Sequence, residues 1–323
     1  MRLVGNALCV LPSGQSFNWR GSVTVRPQTL DTYVGQEHIK GLLRIAIDKA
    51  KKSNKQFGHV LAFGPAGTGK TTLSQILAKE LGYEFVGLTA SKEMTVPLLR
   101  SLLLNLDVRG YGSGGQWKPG AKRFLVFIDE ISELKPSLWE SVLLNAMEDC
   151  EIHDEKGTTY WLPDWTLVGA TTTPYVLRAP ALSRFSWQLH LQTYSVPELV
   201  TMITRQYPTM SKDTATEVAN RSRGIARLGL SFADSVHDLG LAYFDAAGID
   251  NRGLNELDRS YLQALEASNG KGMSVQSIAN VVRELPKTLT TFVEPELLRL
   301  GLIEIVPHVG RVLVTQGRGP KGK

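Results

Sequence analysis

The stretch GPAGTGKT, residues 64–71, combines residue types that can bind a chain of phosphates. It fits the pattern G-x-x-x-x-G-K-[ST], in which glycines allow successive backbone amides to point at phosphate oxygens. An apolar segment precedes it, and the helical pattern that follows would aim its positive end at the same place. Lys70 would then reach the terminal phosphates, and Thr71 would ligate Mg²⁺. The residues predicted to bind ATP through this motif are Gly64, Pro65, Gly67, Thr68, Gly69, Lys70, Thr71 and Thr72.

Two acidic residues end the apolar segment FLVFIDE, residues 124–130. A buried strand that ends in paired carboxylates is the expected second half of such a site. Asp129 would hold Mg²⁺ through water, and Glu130 would polarise the attacking water. The same pair can also simply begin the next helix with favourable N-terminal charge, and the sequence leaves this alternative open.

Hydroxyl groups end a third apolar segment, LVGATTT at residues 167–173. A threonine at this point can hold the attacking water or the γ-phosphate from between the first two motifs. Thr172 is the predicted residue, and Thr171 is the alternative. Alone the segment would be an ordinary strand end, but after the two acids it predicts a phosphate sensor.

The composition restricts the class of protein. The 323 residues are 42% hydrophobic and 21% charged, which is typical of a soluble chain of two or three globular domains. No apolar run is long enough to predict a membrane-spanning helix. Cys9 and Cys150 have no neighbours at metal-ligand spacing, so we expect a reducing, cytoplasmic location and no structural zinc. The net charge of +5 favours a polyanionic partner.

Short apolar segments alternate with helical patterns over residues 22–190, which predicts a mainly parallel sheet covered by helices. The predicted strands are 59–63, 85–88, 124–128 and 166–171. Because they lack strict alternation, we expect them to be central strands buried on both faces. The segment CEIHDEKGTTYWLPD, residues 150–164, predicts a hairpin that turns near EKG.

The pattern becomes helical after Ser195, which is a predicted helix N-cap. Helices predicted at 256–267, 274–283 and 288–300 precede two strands around a His-Val-Gly turn, which is the order of a winged helix. The predicted divisions are an N-terminal tail (1–21), an ATPase core (22–192), a helical domain (193–250) that the family resemblance given below identifies as a lid, a winged helix (251–316) and a basic tail (317–323).

Together these motifs resemble the RuvB family of AAA+ ATPases, the motors of Holliday junction branch migration. The similarity extends from about Arg26 to Thr315. It is carried by GHVLAFGPAGTGKTTL (58–73), FIDEI (127–131), NAMED (145–149), LPDWTLVGATT (162–172), ANRSRGIAR (219–227) and VEPELLRLGLIE (293–304).

The resemblance implies an α/β P-loop ATPase domain with a parallel sheet flanked by helices, a helical lid and a DNA-binding winged helix. It also implies a homo-oligomer, a hexameric ring, that acts on duplex DNA and four-way junctions. Arg184 matches an arginine finger that reaches the γ-phosphate of the neighbouring subunit, and Arg227 matches a lid arginine that senses the same phosphate. Tyr33 and Val34 would enclose adenine, and Arg311 in the wing would contact a DNA phosphate.

The sequence departs from the family pattern at several points. Ser132 stands where the family usually has histidine. The hairpin 150–164 is short with a charged tip, whereas the family's hairpin docks through apolar contacts on the junction-binding protein RuvA; a RuvA-type partner is a candidate, but the charged tip opposes its docking. The Gly-rich segment 107–123 is an insertion relative to the family. It is interpreted either as a loop that contacts DNA or a partner, or as a surface loop without a function.

The leading functional prediction is an ATP hydrolase that works as a DNA helicase or translocase, driving branch migration in recombination and repair. Its predicted catalytic residues are Lys70, Asp129, Glu130, Thr172, Arg184 and Arg227. One alternative is an AAA+ clamp-loader or helicase-loader subunit, which a collar-like helical C-terminal domain would favour. Another is a non-catalytic, ATP-gated DNA-binding scaffold, against which the intact catalytic residues argue.

Overall fold

The computed structural model describes residues 27–91, 93–106, 123–154 and 156–314. The predicted tails at 1–21 and 317–323 and most of the Gly-rich segment 107–123 lie outside the described residues. The chain divides into two compact units. The first runs to Tyr194 and includes Ile225–Arg227, and the second holds Ser195–Gly224 and the residues from Leu228 onward. The domain boundaries drawn from the sequence stay a prediction.

Parallel strands build the first unit, together with one hairpin. The strands are β1 (Val60–Phe63), β2 (Glu84–Thr89), β3 (Phe124–Asp129), β4 (Glu151–His153), β5 (Thr159–Trp161), β6 (Trp165–Thr171) and β7 (Trp187–His190). In the described part of the chain, β4 and β5 form the antiparallel hairpin, and the others form one parallel sheet in the order β2-β3-β6-β1-β7.

Helices precede and follow these strands. They are α1 (Glu37–Ser53), α2 (Lys70–Leu81), α3 (Val96–Leu104), α4 (Pro136–Leu138), α5 (Leu144–Glu148) and α6 (Ala179–Ser183). A π-helical turn at Trp139–Leu143 joins α4 to α5, and 3-10 turns lie at Ile131–Glu133 and Pro174–Val176. Among the helices of the described residues, none combines the length and the hydropathy that a membrane span requires.

The predicted strands and hairpin are confirmed, with two differences. The sequence does not predict β7, because WQLH is short and mixes apolar residues with Gln188 and His190, whose side chains are exposed. The expectation of burial on both faces is wrong for β2. Among the described strands it lies at the edge of the sheet, and its Glu84 and Thr89 are exposed.

The inner strands are apolar throughout because both faces of the sheet are covered. In β3, Leu125 and Phe127 belong to a core cluster with residues of α1 and α2. The alternate residues Val126 and Ile128 belong to a second cluster with α3 and the helices that follow β3. Full burial of one such side chain contributes about 1.5–3 kcal/mol, so the ends of these strands are firmly placed.

His59, the residue before β1, joins three elements of the first unit. The Leu167 amide in β6 donates a hydrogen bond to its Nδ1 at 2.8 Å. The imidazole proton is therefore on Nε2, which donates to the carbonyl oxygen of Met147 at 3.0 Å. Burial lowers the pKa of His59 to about 4, so the ring is neutral at physiological pH.

The elements that follow Tyr194 are mainly helical. They are α7 (Val196–Gln206), α8 (Lys212–Arg221), α9 (Ala226–Leu239), α10 (Ala242–Ala246), α11 (Glu256–Ala267), α12 (Val275–Val282), α13 (Pro286–Thr288), α14 (Glu294–Arg299), β8 (Ile303–Val306) and β9 (Gly310–Leu313). The predicted N-cap at Ser195 is confirmed as a capping box with Glu198.

Three helical segments and a two-stranded wing follow α10, as predicted. The helix expected at 288–300 is interrupted, since a π-helical turn at Leu289–Val293 separates α13 from α14. Pro295 explains the interruption, because it lacks an amide proton and its ring excludes the carbonyl four residues earlier. A buried ion pair ties this region to the preceding helices, with Arg223 Nη2 at 2.8 Å from Asp258 Oδ2.

Candidate nucleotide-binding site

The phosphate-binding loop begins where β1 ends and closes where α2 begins. Gly64 has φ +141°, and a Cβ there would lie 2.1 Å from the carbonyl oxygen of Leu191. Gly69 caps α2 with φ +95°, and a Cβ there would lie 2.6 Å from the Tyr33 hydroxyl. Only glycine combines these backbone angles with such close neighbours. The loop therefore has the conformation that the motif predicts.

Lys70 lies inside this loop, 7% exposed. Its ammonium group donates hydrogen bonds to the carbonyl oxygens of Gly64 at 2.9 Å and Pro65 at 3.0 Å. Burial lowers the pKa of Lys70, while the negative charges of Glu130 and Asp129 act in the opposite direction. The structure thus brings the predicted lysine and the two predicted acids into one electrostatic group.

The two acids stand at the carboxyl end of β3, as predicted. The amide of Glu130 donates to Asp129 Oδ1 at 3.1 Å. Glu130 adopts φ 49° and ψ 46°, a left-handed conformation that costs a residue with a side chain about 1–2 kcal/mol. The alternative interpretation was that Asp129 and Glu130 begin a helix. Only a 3-10 turn of three residues, Ile131–Glu133, follows Glu130, so this alternative holds only in part.

A cluster of hydroxyl groups joins the end of β6 to the turn after β3. Ser132 Oγ lies 2.7 Å from Thr171 Oγ1 and 3.1 Å from Thr173 Oγ1. The Thr173 amide also donates to Thr171 Oγ1 at 2.9 Å. Thr171 is buried in this cluster, whereas Thr172 is exposed at the strand end, so Thr172 stays the predicted sensor. The sequence did not predict a role for Ser132 or Thr173. The one available signal was that Ser132 replaces the histidine usual in the family at this position.

Two tyrosines support the loop from the protein interior. The hydroxyls of Tyr33 and Tyr194 lie 3.0 Å apart, and both donate to the Thr68 carbonyl oxygen, at 3.3 and 2.7 Å. Burial raises the pKa of Tyr33 well above its usual value. Tyr33 therefore buttresses the loop, and Val34 beside it is half-buried. Their contact with adenine stays a prediction, and Tyr194 is a residue that sequence reasoning missed.

Comparison with known proteins agrees with this geometry. Family models match the RuvB P-loop domain of the Holliday junction DNA helicase at residues 25–110 and the RuvB C-terminal winged helix domain at residues 251–319. The Holliday junction branch migration complex subunit RuvB of a Nitratiruptor species is 34% identical over 305 residues, which cover 87% of each chain. The chain belongs to the RuvB family.

Two further RuvB proteins give the same result. The subunit from Paramagnetospirillum magneticum is 33% identical over 320 residues, which cover 91% of this chain and 88% of the relative. The solved structure of the Thermotoga maritima RuvB Holliday junction branch migration motor superposes with a TM-score of 0.73 at 30% identity. That match covers 90% of this chain and 95% of the other. The predicted family, fold class and winged helix are confirmed.

Arg184, the residue that matches the RuvB arginine finger, is the C-cap that directly follows α6. Its guanidinium forms an ion pair with Glu148, the first of the two acids in the NAMED segment and the last residue of α5. Within the described residues its Nε is buried without a hydrogen-bond partner. In this single chain the predicted finger Arg184 is therefore paired with Glu148 of the same unit. Its contact with a neighbouring subunit stays a prediction.

Arg227, which matches the RuvB lid arginine, approaches the phosphate-binding loop through its backbone. Its amide donates to the Gly67 carbonyl oxygen at 3.2 Å, and its side chain is exposed. A Cβ on Gly67 would lie 2.8 Å from Ile225 and 2.9 Å from Arg227. The structure thus brings Arg227 beside the loop, as the family resemblance implies.

Arg311, predicted to contact DNA, is held inside the wing. Its Nε and Nη2 lie 2.9 and 3.2 Å from the two carboxylate oxygens of the buried Glu294. The buried Tyr261 donates to the same carboxylate at 2.8 Å. The hydrogen bond to Glu294 raises the pKa of Arg311. The structure gives this guanidinium an internal partner, so a structural role competes with the predicted contact with a DNA phosphate, which is untested.

Proposed function

We propose that this chain is an ATP-driven DNA motor that promotes Holliday junction branch migration during recombination and repair. The observation that carries the proposal is the grouping of Lys70, Asp129 and Glu130 around one phosphate-binding loop. A chain of the RuvB family that also has a winged helix can apply the energy of hydrolysis to DNA in the cytoplasm.

The residues present fit ATP and Mg²⁺. The loop amides and the first turn of α2 form a cradle for phosphate oxygens, and Lys70 supplies positive charge beside it. Thr71 and Asp129 would hold Mg²⁺, which offsets negative charge on the phosphates when it is bound. Glu130 would accept a proton from the attacking water, while the Thr172 hydroxyl orients that water.

The C-terminal region favours a motor over a loader. A loader would carry a helical collar in this place, whereas the chain ends its described part with the β8–β9 hairpin of a winged helix. We propose duplex DNA and four-way junctions as its substrates. Phosphate contacts would make binding fall steeply as the salt concentration rises.

A ring of identical subunits, a hexamer in this proposal, would complete each active site. Arg184 would exchange its partner Glu148 for the γ-phosphate held by the neighbouring subunit. Stabilising transition-state charge in this way contributes about a thousandfold or more in rate. Arg227, whose backbone already contacts the loop, would report the same phosphate from within its own subunit.

The hairpin β4–β5 is the proposed docking site for a RuvA-type junction-binding partner. Its charged tip is ordered by Asp154, which accepts hydrogen bonds from the amides of Lys156 and Thr158 at 2.8 Å. Tyr160 and Trp161 on β5 are 40% and 53% exposed, which provides the apolar surface that the tip lacks. Trp161→Ala should weaken capture of a RuvA-type protein at least tenfold. Leu239→Ala, which also truncates an exposed apolar side chain, should leave capture unchanged.

Hydrolysis is tested with purified protein, duplex DNA and a fluorescent four-way junction. Glu130→Gln should keep ATP binding and reduce both turnover and junction dissociation by a hundredfold or more. Glu133→Gln removes an exposed acid three residues later and should leave both rates unchanged. Equal rates for the wild type and Glu130→Gln would support the non-catalytic scaffold instead.

The finger is tested by mixing subunits. Arg184→Ala should bind ATP and fail to hydrolyse it. Mixing it with Glu130→Gln subunits should restore part of the turnover, because a mixed ring contains interfaces with an intact acid and an intact finger. Absence of any recovery in rings shown to be mixed would contradict action in trans.

A further inference from the structure

The hydroxyl of Ser132 connects the two strand ends that carry the predicted catalytic groups. It lies in the 3-10 turn after β3, two residues beyond Glu130. Its partners are Thr171 Oγ1 at 2.7 Å and Thr173 Oγ1 at 3.1 Å. These threonines flank Thr172, so one small side chain contacts both neighbours of the predicted sensor.

Glu130 needs external support for its conformation. A left-handed backbone at φ 49° is unfavourable for glutamate by about 1–2 kcal/mol, so the chain would relax without ties to its surroundings. The turn is closed by the Glu133 amide, which donates to the Glu130 carbonyl oxygen at 2.8 Å. Ile131 is fully buried and fills the space above Gly169 in β6, where a Cβ would lie 2.7 Å from Ile131 Cδ1. Ser132 adds a polar tie beside this apolar one.

We propose that Ser132 is a positioning residue that fixes the Glu130 carboxylate relative to the Thr172 hydroxyl. The inference rests on the proposed function, since it assigns to these two groups the water that attacks ATP. A hydrogen bond contributes about 0.5–1.5 kcal/mol, and the geometry of the reacting groups depends on two such bonds here. Loss of the hydroxyl should therefore reduce the rate of the chemical step. ATP affinity should change little, because the hydrogen bonds of this side chain among the described residues go to Thr171 and Thr173 and not to the phosphate-binding loop.

An isosteric pair of variants isolates the hydroxyl. Ser132→Thr retains it and Ser132→Val does not, although both add a similar volume. Ser132 borders a cavity of about 530 Å³ that also contacts Leu134, Trp139 and Leu177, so either side chain has room. Ser132→Val should lower kcat for ATP about tenfold with KM changed less than twofold. Ser132→Thr should stay within twofold of the wild type in both.

Matched controls separate positioning from general destabilisation. Thr166→Val removes a buried hydroxyl at the other end of β6, where it donates to the Phe57 carbonyl oxygen at 2.6 Å. It should lower the melting temperature without lowering kcat. Thr171→Val should lower kcat at least as much as Ser132→Val, because it breaks the shared bond and also the bond from the Thr173 amide. The double variant should lose less than the product of the two single effects, because the bond between the two hydroxyls is lost only once.

The outcomes distinguish this inference from the proposed function. If the wild type hydrolyses ATP no faster than Glu130→Gln, the proposed function fails and the inference fails with it. If the wild type is active and Ser132→Val keeps its kcat, the inference alone is wrong. It is also overturned if Thr166→Val and Ser132→Thr lose as much activity as Ser132→Val, since that result indicates a structural effect.

Discussion

Replacement of Arg311 by methionine distinguishes two roles of this side chain, an internal ion pair with Glu294 and a contact with DNA. The side chain of Arg311 is 19% exposed, and that of its partner Glu294 is 5% exposed. Methionine keeps much of the packing of the arginine stem but leaves the Glu294 carboxylate buried without its cation. Removing one partner of a buried pair costs about 3–5 kcal/mol. We expect the melting temperature of the second unit to fall by about 10–20 °C as a result.

The same substitution makes a different prediction for DNA. A lost phosphate contact would lower the slope of log K against log salt by about 0.9 in magnitude. We expect that slope to stay unchanged in Arg311→Met when binding is measured well below the melting temperature. Adding Glu294→Gln should recover much of the lost stability, because the buried negative charge is then gone.

Lys287→Met is the matched control, since it removes an exposed cation from α13 in the same module. It should change the free energy of unfolding by less than about 0.5 kcal/mol. The structural reasoning is refuted if Arg311→Met keeps the wild-type melting temperature while its salt slope falls by about one unit. That pattern would establish Arg311 as a phosphate contact.

Three further predictions concern single groups. The His59 pKa is about 4 in the folded protein and about 6.5 in the unfolded chain, so stability should rise with pH across that window by roughly 3 kcal/mol, because the unfolded state binds the extra proton. Urea unfolding at pH 5 and pH 7.5 should show about 2 kcal/mol of this rise for the wild type and much less for His59→Gln. Burial raises the pKa of Cys150 to about 11, so in a Cys9→Ser background alkylation at pH 8 should be about a hundredfold slower in the native than in the urea-unfolded protein, and equal rates would contradict the burial. Gly64→Ala should weaken binding of a fluorescent ATP analogue more than tenfold because its Cβ would meet the Leu191 carbonyl oxygen, whereas Gly82→Ala, also at positive φ but with no atom within 4 Å, should bind normally.

Features that depend on local sequence could be predicted. The phosphate-binding loop follows from glycines between an apolar strand and an amphipathic helix, and each of these signals lies within a few residues of the next. The paired acids Asp129 and Glu130 follow in the same way from a strand that ends in charge. The capping box at Ser195 is equally local, because its two partners are three residues apart.

Contacts between distant segments could not be predicted, because they depend on the order of the strands. Ser132 and Thr171 meet across 39 positions, and Tyr33 and Tyr194 meet across 161. No periodicity in the sequence reports that β3 lies beside β6. The internal partner of Arg311 could not be predicted for a related reason. Glu294 is the first residue of α14, where an acid is normally expected to face solvent.

The strand order has a consequence for how the first unit opens. In the part of the chain that the structure describes, the strands β1, β3 and β6, which carry the loop, the acids and the hydroxyl cluster, each have a hydrogen-bonded neighbour on both sides, while β2 and β7 have one. Amide protons of the outer strands β2 and β7 should exchange with solvent through low-energy fraying. Those of the inner strands β3, β6 and β1 should exchange only through cooperative opening. Heat or denaturant would thus loosen the rim of the sheet while its reactive centre stays assembled until the last step of unfolding.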